Sequence, residues 1–276
     1  MLTGLSDTIT LANGVAMPRF GLGTYKSAEG GDVELAVTTA LALGYRSIDT
    51  ASLYGNEAGI GAALGASGVP REDVFLASKV WNDEQGYDAT LAAFERSLRR
   101  LGTGYLDLYL VHWPRAQTRE TWRALERLYA EGAVRAIGVC NHLEHHLESL
   151  LAVAEVAPMV DQYEFHPWLQ QPSLRAYCEA RGIAVEAWAP LMKGRVAEEP
   201  TLVEAAQRHD KSPAQVALRW LLQHGAVVIP KSVHAERIAE NAAVFDFALA
   251  DAEMAAIDAA DRGTRFGPEP DRGGER

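Results

Sequence analysis

Eight short apolar runs rich in Val, Ile, Leu and Tyr punctuate the chain, and longer stretches with helical periodicity separate them. The runs are Phe20–Thr24, Arg46–Asp49, Val74–Val80, Leu106–His112, Ala136–Asn141, Met159–Glu164, Ala184–Ala189 and Ala226–Pro230. Their apolar character is nearly continuous, which predicts strands buried on both faces of a parallel sheet. The stretches between them predict helices over Asp32–Leu43, Tyr87–Leu101, Thr118–Ala130 and Leu143–Val153. Asp32 is placed to cap the first, Gly44 to end it, and Thr118 to cap the third. Ser212-Pro213 reads as an N-cap with an N1 proline, opening a helix over Ala214–Gln223.

Strand-then-helix repetition points to one α/β domain over residues 1–276. Eight units in a chain of 276 residues fit a closed (β/α)₈ TIM barrel. A doubly wound open sheet is the competing architecture. Ahead of the first unit, Thr8–Leu11 and Val15–Met17 flank Ala12-Asn13-Gly14, a hairpin signal that suits a plug at the N-terminal end of the barrel. The interval between the seventh and eighth strands has room for two helices. The segment from Arg262 to Arg276, rich in Gly, Pro and charge, reads as mobile.

Composition narrows the function classes. With 48% hydrophobic and 23% charged residues the chain is an ordinary globular one. A formal net charge of -11 without a basic run argues against nucleic acid or an anionic membrane as partner. No apolar stretch is long enough to span a bilayer, and the N-terminus lacks the pattern of a signal peptide. Two cysteines, Cys140 and Cys178, are too few for a disulfide framework or a structural zinc site, so no metal is expected and a cytoplasmic setting is the simplest.

In a barrel of this kind chemistry sits where strands end. Asp49, Lys79, His112 and Asn141 end successive runs, spaced by about one strand–helix–strand repeat. Gln162, Glu164 and Trp188 lie late in the next two runs, and Lys231-Ser232 follow the last. A lysine closing the apolar run VFLAS must be paired or neutral. Asp49 on the neighbouring strand is the natural partner. Tyr54 falls on the loop after Asp49, where the Lys79 ammonium would stabilise its phenolate and lower its pKa, making it a tuned general acid. His112 is placed to orient a carbonyl or relay a proton. At the last strand end, Lys231, Ser232 and Arg237 with the amides of the following helix are able to hold a phosphate.

Other motifs add little. Gly21-Leu22-Gly23-Thr24-Tyr25-Lys26 begins like a Rossmann fingerprint but has Lys26 at the third glycine. P-loop, nucleophile-elbow and zincin patterns are absent. His142, His145 and His146 read as a solvated helix start.

These residues resemble the aldo-keto reductases. The stretches that carry the resemblance are Gly44–Ala51 (GYRSIDTA), Tyr54–Glu57 (YGNE), Ser78–Trp81 (SKVW), Asp107–Pro114 (DLYLVHWP), Ile137–Asn141 (IGVCN) and Ile229–Ser232 (IPKS). Within the family the chain is most similar to the bacterial 2,5-diketo-D-gluconate reductase-like branch, through Trp188 and Ala214–Trp220. The resemblance implies a barrel that binds NADPH across its C-terminal face, NADH more weakly. It implies a tetrad of Asp49, Tyr54, Lys79 and His112. It assigns Asn141 and Gln162 to the nicotinamide carboxamide, Trp188 to the ring, and Gly23, Thr24, Pro190, Leu191 and Val233 to the same cofactor. Lys231, Ser232 and Arg237 would hold the 2′-phosphate, with Glu240 and Asn241 near the adenine. Tyr25, Trp81, His112, Trp113 and Trp168 would line the substrate pocket. Cys140 stands where serine is usual and His234 where arginine is frequent, which weakens one carboxamide contact and the charge offered to the 2′-phosphate.

The expected activity is therefore reduction of a small-molecule carbonyl (a keto-aldehyde, keto-sugar or aromatic aldehyde) by a monomer. Two other readings are a Schiff-base aldolase or isomerase using Lys79, and a non-catalytic NADPH-binding redox sensor.

Overall fold

A computed structural model describes residues 2–273. Strands β1 (Thr8–Thr10) and β2 (Ala16–Pro18) form an antiparallel hairpin. The Asn13 side chain at its tip donates to the Arg135 carbonyl, tying the hairpin to the barrel wall. The wall consists of β3 (Leu22–Gly23), β4 (Ser47–Asp49), β5 (Phe75–Val80), β6 (Leu106–Val111), β7 (Val134–Cys140), β8 (Val160–Glu164), β9 (Ala184–Trp188) and β10 (Val227–Val228). Each pairs in parallel with the next in chain order.

Bridges from Phe20 to Val228 and from Gly23 to Lys231 bring the first strand against the last. A Cβ on Gly23 would lie 2.6 Å from the Ile229 carbonyl oxygen, so this closure requires glycine. The eight strands thus form the (β/α)₈ barrel, and an open sheet is excluded by the closing bridges.

The helices are α1 (Asp32–Ala42), α2 (Glu57–Ala66), α3 (Tyr87–Leu101), α4 (Thr118–Ala130), α5 (Glu144–Leu151), α6 (Pro172–Glu179), α7 (Pro200–His209), α8 (Pro213–Gln223), α9 (Ala235–Ala242) and α10 (Asp251–Asp258). Two of them, α7 and α8, fill the interval between β9 and β10. The α8 start has the expected form: Ser212 Oγ accepts from the Gln215 N–H, and the Gln215 side chain accepts from the Ser212 N–H. Two caps differ from expectation by one residue. Gly31, not Asp32, precedes α1, and the Glu34 carboxylate accepts from the Gly30 and Gly31 amides. Thr118 is the first residue of α4, its hydroxyl accepting from Arg115 N–H. Helix α2, EAGIGAALGA, has no polar face to reveal it. Its Gly59 and Gly61 sit so close to α1 and α3 that a Cβ would overlap Val33 and the Leu101 carbonyl.

Residues 262–273 are tied to the barrel by a buried acceptor. Both carboxylate oxygens of Glu164, at the end of β8, take backbone N–H bonds from Phe266 and Gly267, at 2.7 and 2.9 Å. Phe266 packs on His166 and Trp168, supplying an aromatic contact to this segment. Farther on, Asp271 Oδ1 meets His145 and His146 of α5 at 2.9 and 3.3 Å. His146 Nδ1 accepts the Leu143 N–H, so the neutral ring carries its proton on Nε2 and donates it to Asp271. Residues 274–276 of that expected segment lie outside the described residues. No helix among the described residues is long and apolar enough to cross a membrane.

Candidate active site

Parallel pairing sets Asp49 of β4 and Lys79 of β5 at the same end of the barrel, and both side chains are buried. The Lys79 ammonium lies 2.6 and 2.7 Å from the two Asp49 oxygens. Its third donor reaches the Thr50 carbonyl at 2.9 Å. Burial by itself would favour the neutral amine, but Asp49 and its neighbours outweigh burial, and the Lys79 pKa is held above that of a free lysine. That disfavours the Schiff-base reading, which needs a neutral amine.

The turn Ser52–Tyr54 after β4 carries the tyrosine back over the strand end. Tyr54 OH is 3.4 Å from Lys79 Nζ, and its ring centroid is 5.7 Å from that of His112. The expected lowering of its pKa is not the net result. Burial raises it first, Lys79 lowers it, and Asp49 raises it again, leaving the phenol above its ordinary value. Lys79 thus offsets part of the burial penalty. Burial, with Lys79 second, also pushes the His112 pKa well below the usual histidine range. The imidazole is therefore neutral at pH 7, and its Nδ1 is buried without a partner among the described residues.

The ends of β7 to β10 supply amide and cationic groups. Asn141 sits at φ 59 and donates from Nδ2 to the His112 carbonyl, while its Oδ1 accepts the Trp188 indole N–H at 2.8 Å. Gln162 Nε2 donates to Asp49 Oδ2 at 2.9 Å and to Glu186 Oε2 at 2.8 Å. After β9 the chain takes positive φ at Ala189, Met192 and Lys193, bending sharply around Pro190 and Leu191. Lys231 and Val233 border the N-terminus of α9, and Ser232 Oγ accepts from His234 N–H. Arg237 and Glu240 are exposed on α9, whereas Asn241 is buried. The Thr24 hydroxyl is spent on the Asp49 carbonyl, fixing β3 against β4.

Of the expected pocket residues, Tyr25 packs on Tyr54 and Trp81 on His112, each with centroids 5.0 Å apart. Trp113 is buried just beyond His112. Trp168 stands apart: its indole N–H is given to Glu199, Arg262 covers one side of the ring, and the 262–273 segment packs against it. The expected solvated histidine start is also corrected. His142 is fully buried, its Nδ1 facing the Cys140 carbonyl at 2.8 Å.

Two groups at this centre were not anticipated. Asn56 bonds the Thr50 hydroxyl and the Thr24 and Ser27 carbonyls, locking the loops after β3 and β4 together. Glu186, buried on β9, meets Gln162 at the barrel centre. A glutamate inside the apolar run AVEAW, two residues before Trp188 and so on the same face, was the available signal.

Comparison with known proteins agrees with this geometry. The sequence model of the Aldo/keto reductase family matches residues 19–262. A glyoxal reductase of Bacillus subtilis (strain 168) is 55% identical over 272 residues, covering 98% of this chain and 99% of that protein. The crystal structure of MGS-M4, an aldo-keto reductase from a Medee basin deep-sea metagenome library, superposes with a TM-score of 0.94 at 44% identity, covering 96% of this chain and 98% of that one. A point mutant of Gox0644 in complex with NADPH gives a TM-score of 0.91 at 44% identity, over 96% of this chain and 97% of that one. With a closed barrel, buried Asp49–Lys79 pair and family match over most of its length, the chain belongs to the aldo/keto reductase family.

Proposed function

We propose that this chain reduces small aldehydes and ketones to alcohols with NADPH, Tyr54 giving the proton. The observation that carries this reading is the Asp49–Lys79–Tyr54 chain, which aims an ammonium at a phenol at the mouth of the barrel. NADPH, when bound, supplies the hydride. Tyr54 donates its proton to the oxygen of the carbonyl as charge develops there. The Lys79 ammonium stabilises the phenolate left behind, and Asp49 keeps Lys79 charged. Neutral His112 offers a ring nitrogen to the same oxygen and fixes which face of the carbonyl is presented.

The residues fit the cofactor. Both Asn141 amide atoms are engaged, but its Oδ1 has a second lone pair for a carboxamide N–H. Gln162 Nε2 is spent on two carboxyl groups, which leaves its Oε1 as the acceptor for the same group. Trp188, part-buried at the end of β9, would cover the nicotinamide ring. Lys231 and Arg237 form no ion pair among the described residues, so two cations beside the start of α9 remain for the 2′-phosphate, with Ser232 between them. Glu240 and Asn241, farther along α9, would lie near the adenine.

Tyr25 and Trp81 pack on Tyr54 and His112, which favours compact carbonyls. The glyoxal reductase relative points the same way. The test is NADPH consumption with glyoxal, methylglyoxal, keto-sugars and aromatic aldehydes, repeated with NADH. Turnover concentrated on the compact dicarbonyls with NADPH supports the reading. No turnover with any carbonyl overturns it.

A further inference from the structure

Behind the Asp49–Lys79 pair, the barrel holds a second carboxyl group. Glu186 is 1% exposed and lies beside Gln162 in the pairing of β8 with β9. One atom, Gln162 Nε2, sits 2.8 Å from Glu186 Oε2 and 2.9 Å from Asp49 Oδ2. Between two carboxyl groups the amide nitrogen must be the atom that faces them, and it has two hydrogens, one for each. The orientation of Gln162 is thereby fixed, with its nitrogen inward and its oxygen released. Asp49 Oδ2 takes both this bond and one from Lys79, at 2.7 Å.

Glu186 is an expensive residue to keep as a filler. An apolar side chain would occupy the space without desolvation. The ionisable groups that face it are Asp49 on β4, Lys79 on β5 and Cys140 on β7. Among the described residues no cation forms an ion pair with it, and Lys79 is committed to Asp49. Burial first, then Asp49, push its pKa up to about 8, so at neutral pH it bears its proton. The centre then holds one anion and one cation.

We propose that Glu186 is a positioning residue for reduction: through the shared Gln162 amide it holds Asp49 in its two-oxygen grip on Lys79 and keeps the Gln162 carbonyl turned out toward the nicotinamide. The role rests on the proposed reductase activity. Two consequences follow. Losing the clamp weakens cofactor binding, because Gln162 keeps only one of the two acceptors that hold its nitrogen inward. Ionising Glu186 adds a second anion to the centre, which opposes the negative charge developing on Tyr54, as Asp49 already does, and repels Asp49. Turnover should therefore fall on the alkaline side as Glu186 loses its proton, before Tyr54 itself titrates.

The experiment compares wild type with Glu186→Gln and Glu186→Leu. NADPH dissociation constants come from quenching of tryptophan fluorescence, and kcat and KM from carbonyl reduction across pH. Glu186→Gln keeps an acceptor for Gln162 and cannot ionise. It should match wild type near neutrality and shift the alkaline fall in kcat to higher pH by about a unit or more. Glu186→Leu breaks the clamp and should weaken NADPH binding by roughly threefold to tenfold, the worth of one hydrogen bond. An unchanged alkaline limb in Glu186→Gln overturns the proposal, as does unchanged NADPH affinity in a folded Glu186→Leu. If Glu186→Leu does not fold, the pH profile of Glu186→Gln decides. Wild type that binds NADPH yet reduces no carbonyl sinks the functional reading alone, and the affinity arm still judges the clamp.

Discussion

Glu186 also leaves a mark on stability, and its sign is fixed. Its pKa is raised from an ordinary 4.5 to about 8 in the folded chain. The folded state therefore holds a proton that the unfolded state has released between those values. Stability from this group is complete below about pH 4.5, declines as pH rises, and is fully lost above about pH 8. Thermal unfolding of Glu186→Gln should lack this decline, so its melting temperature should exceed that of wild type at pH 9 and approach it at pH 5. Equal melting curves at pH 9 would mean that Glu186 is not held protonated. At this scale Asp49 and Lys79 were legible because a charge closing an apolar strand must find a counter-charge on the next one. Glu186 was hidden by its position inside a run, where its hydrogen-bond partner is an amide. The net pKa of Tyr54 was illegible for a related reason: the ammonium was visible in sequence, but the depth of burial opposing it was not.

At the scale of elements, the closure of the barrel rests on contacts too tight for a side chain. Gly23 is the sharpest case, with a Cβ only 2.6 Å from a backbone oxygen that has nowhere to retreat. Gly23→Ala should destabilise the fold by about 1–3 kcal/mol, an overpacking cost, measured by denaturant midpoint at constant slope. It should also part Asp49 from its neighbours, since Thr24 bonds the Asp49 carbonyl through both its amide and its hydroxyl. A stability change below about 0.5 kcal/mol would show that the strands can separate there without cost. The strands themselves were legible to within two residues at each end, since burial on both faces leaves a nearly unbroken apolar signature. Helix α2 was not, because close packing on α1 and α3 selects Gly and Ala instead of an amphipathic stripe. The contacts of segment 262–273 were hidden for the converse reason: its composition is that of a loop, yet a buried carboxylate two strands away accepts from its backbone.

For the whole molecule, a formal net charge of -11 coexists with Lys231 and Arg237 beside the start of α9, neither in an ion pair among the described residues. Burial lowers the Lys231 pKa, with Asp32 acting against that effect. A phosphate there would regain what the partly buried ammonium loses. Lys231→Met should raise the KM for NADPH by roughly tenfold to a hundredfold, the worth of a charge-assisted hydrogen bond, and leave NADH little affected. A parallel rise for both cofactors would place Lys231 elsewhere than at the 2′-phosphate.

The mechanism turns on Tyr54 giving the proton, and single-turnover reduction of methylglyoxal by NADPH-saturated Tyr54→Phe isolates that step. The rate should fall about 10²–10⁴-fold below that of wild type with NADPH affinity essentially retained. Reduction at a rate near that of wild type would contradict it.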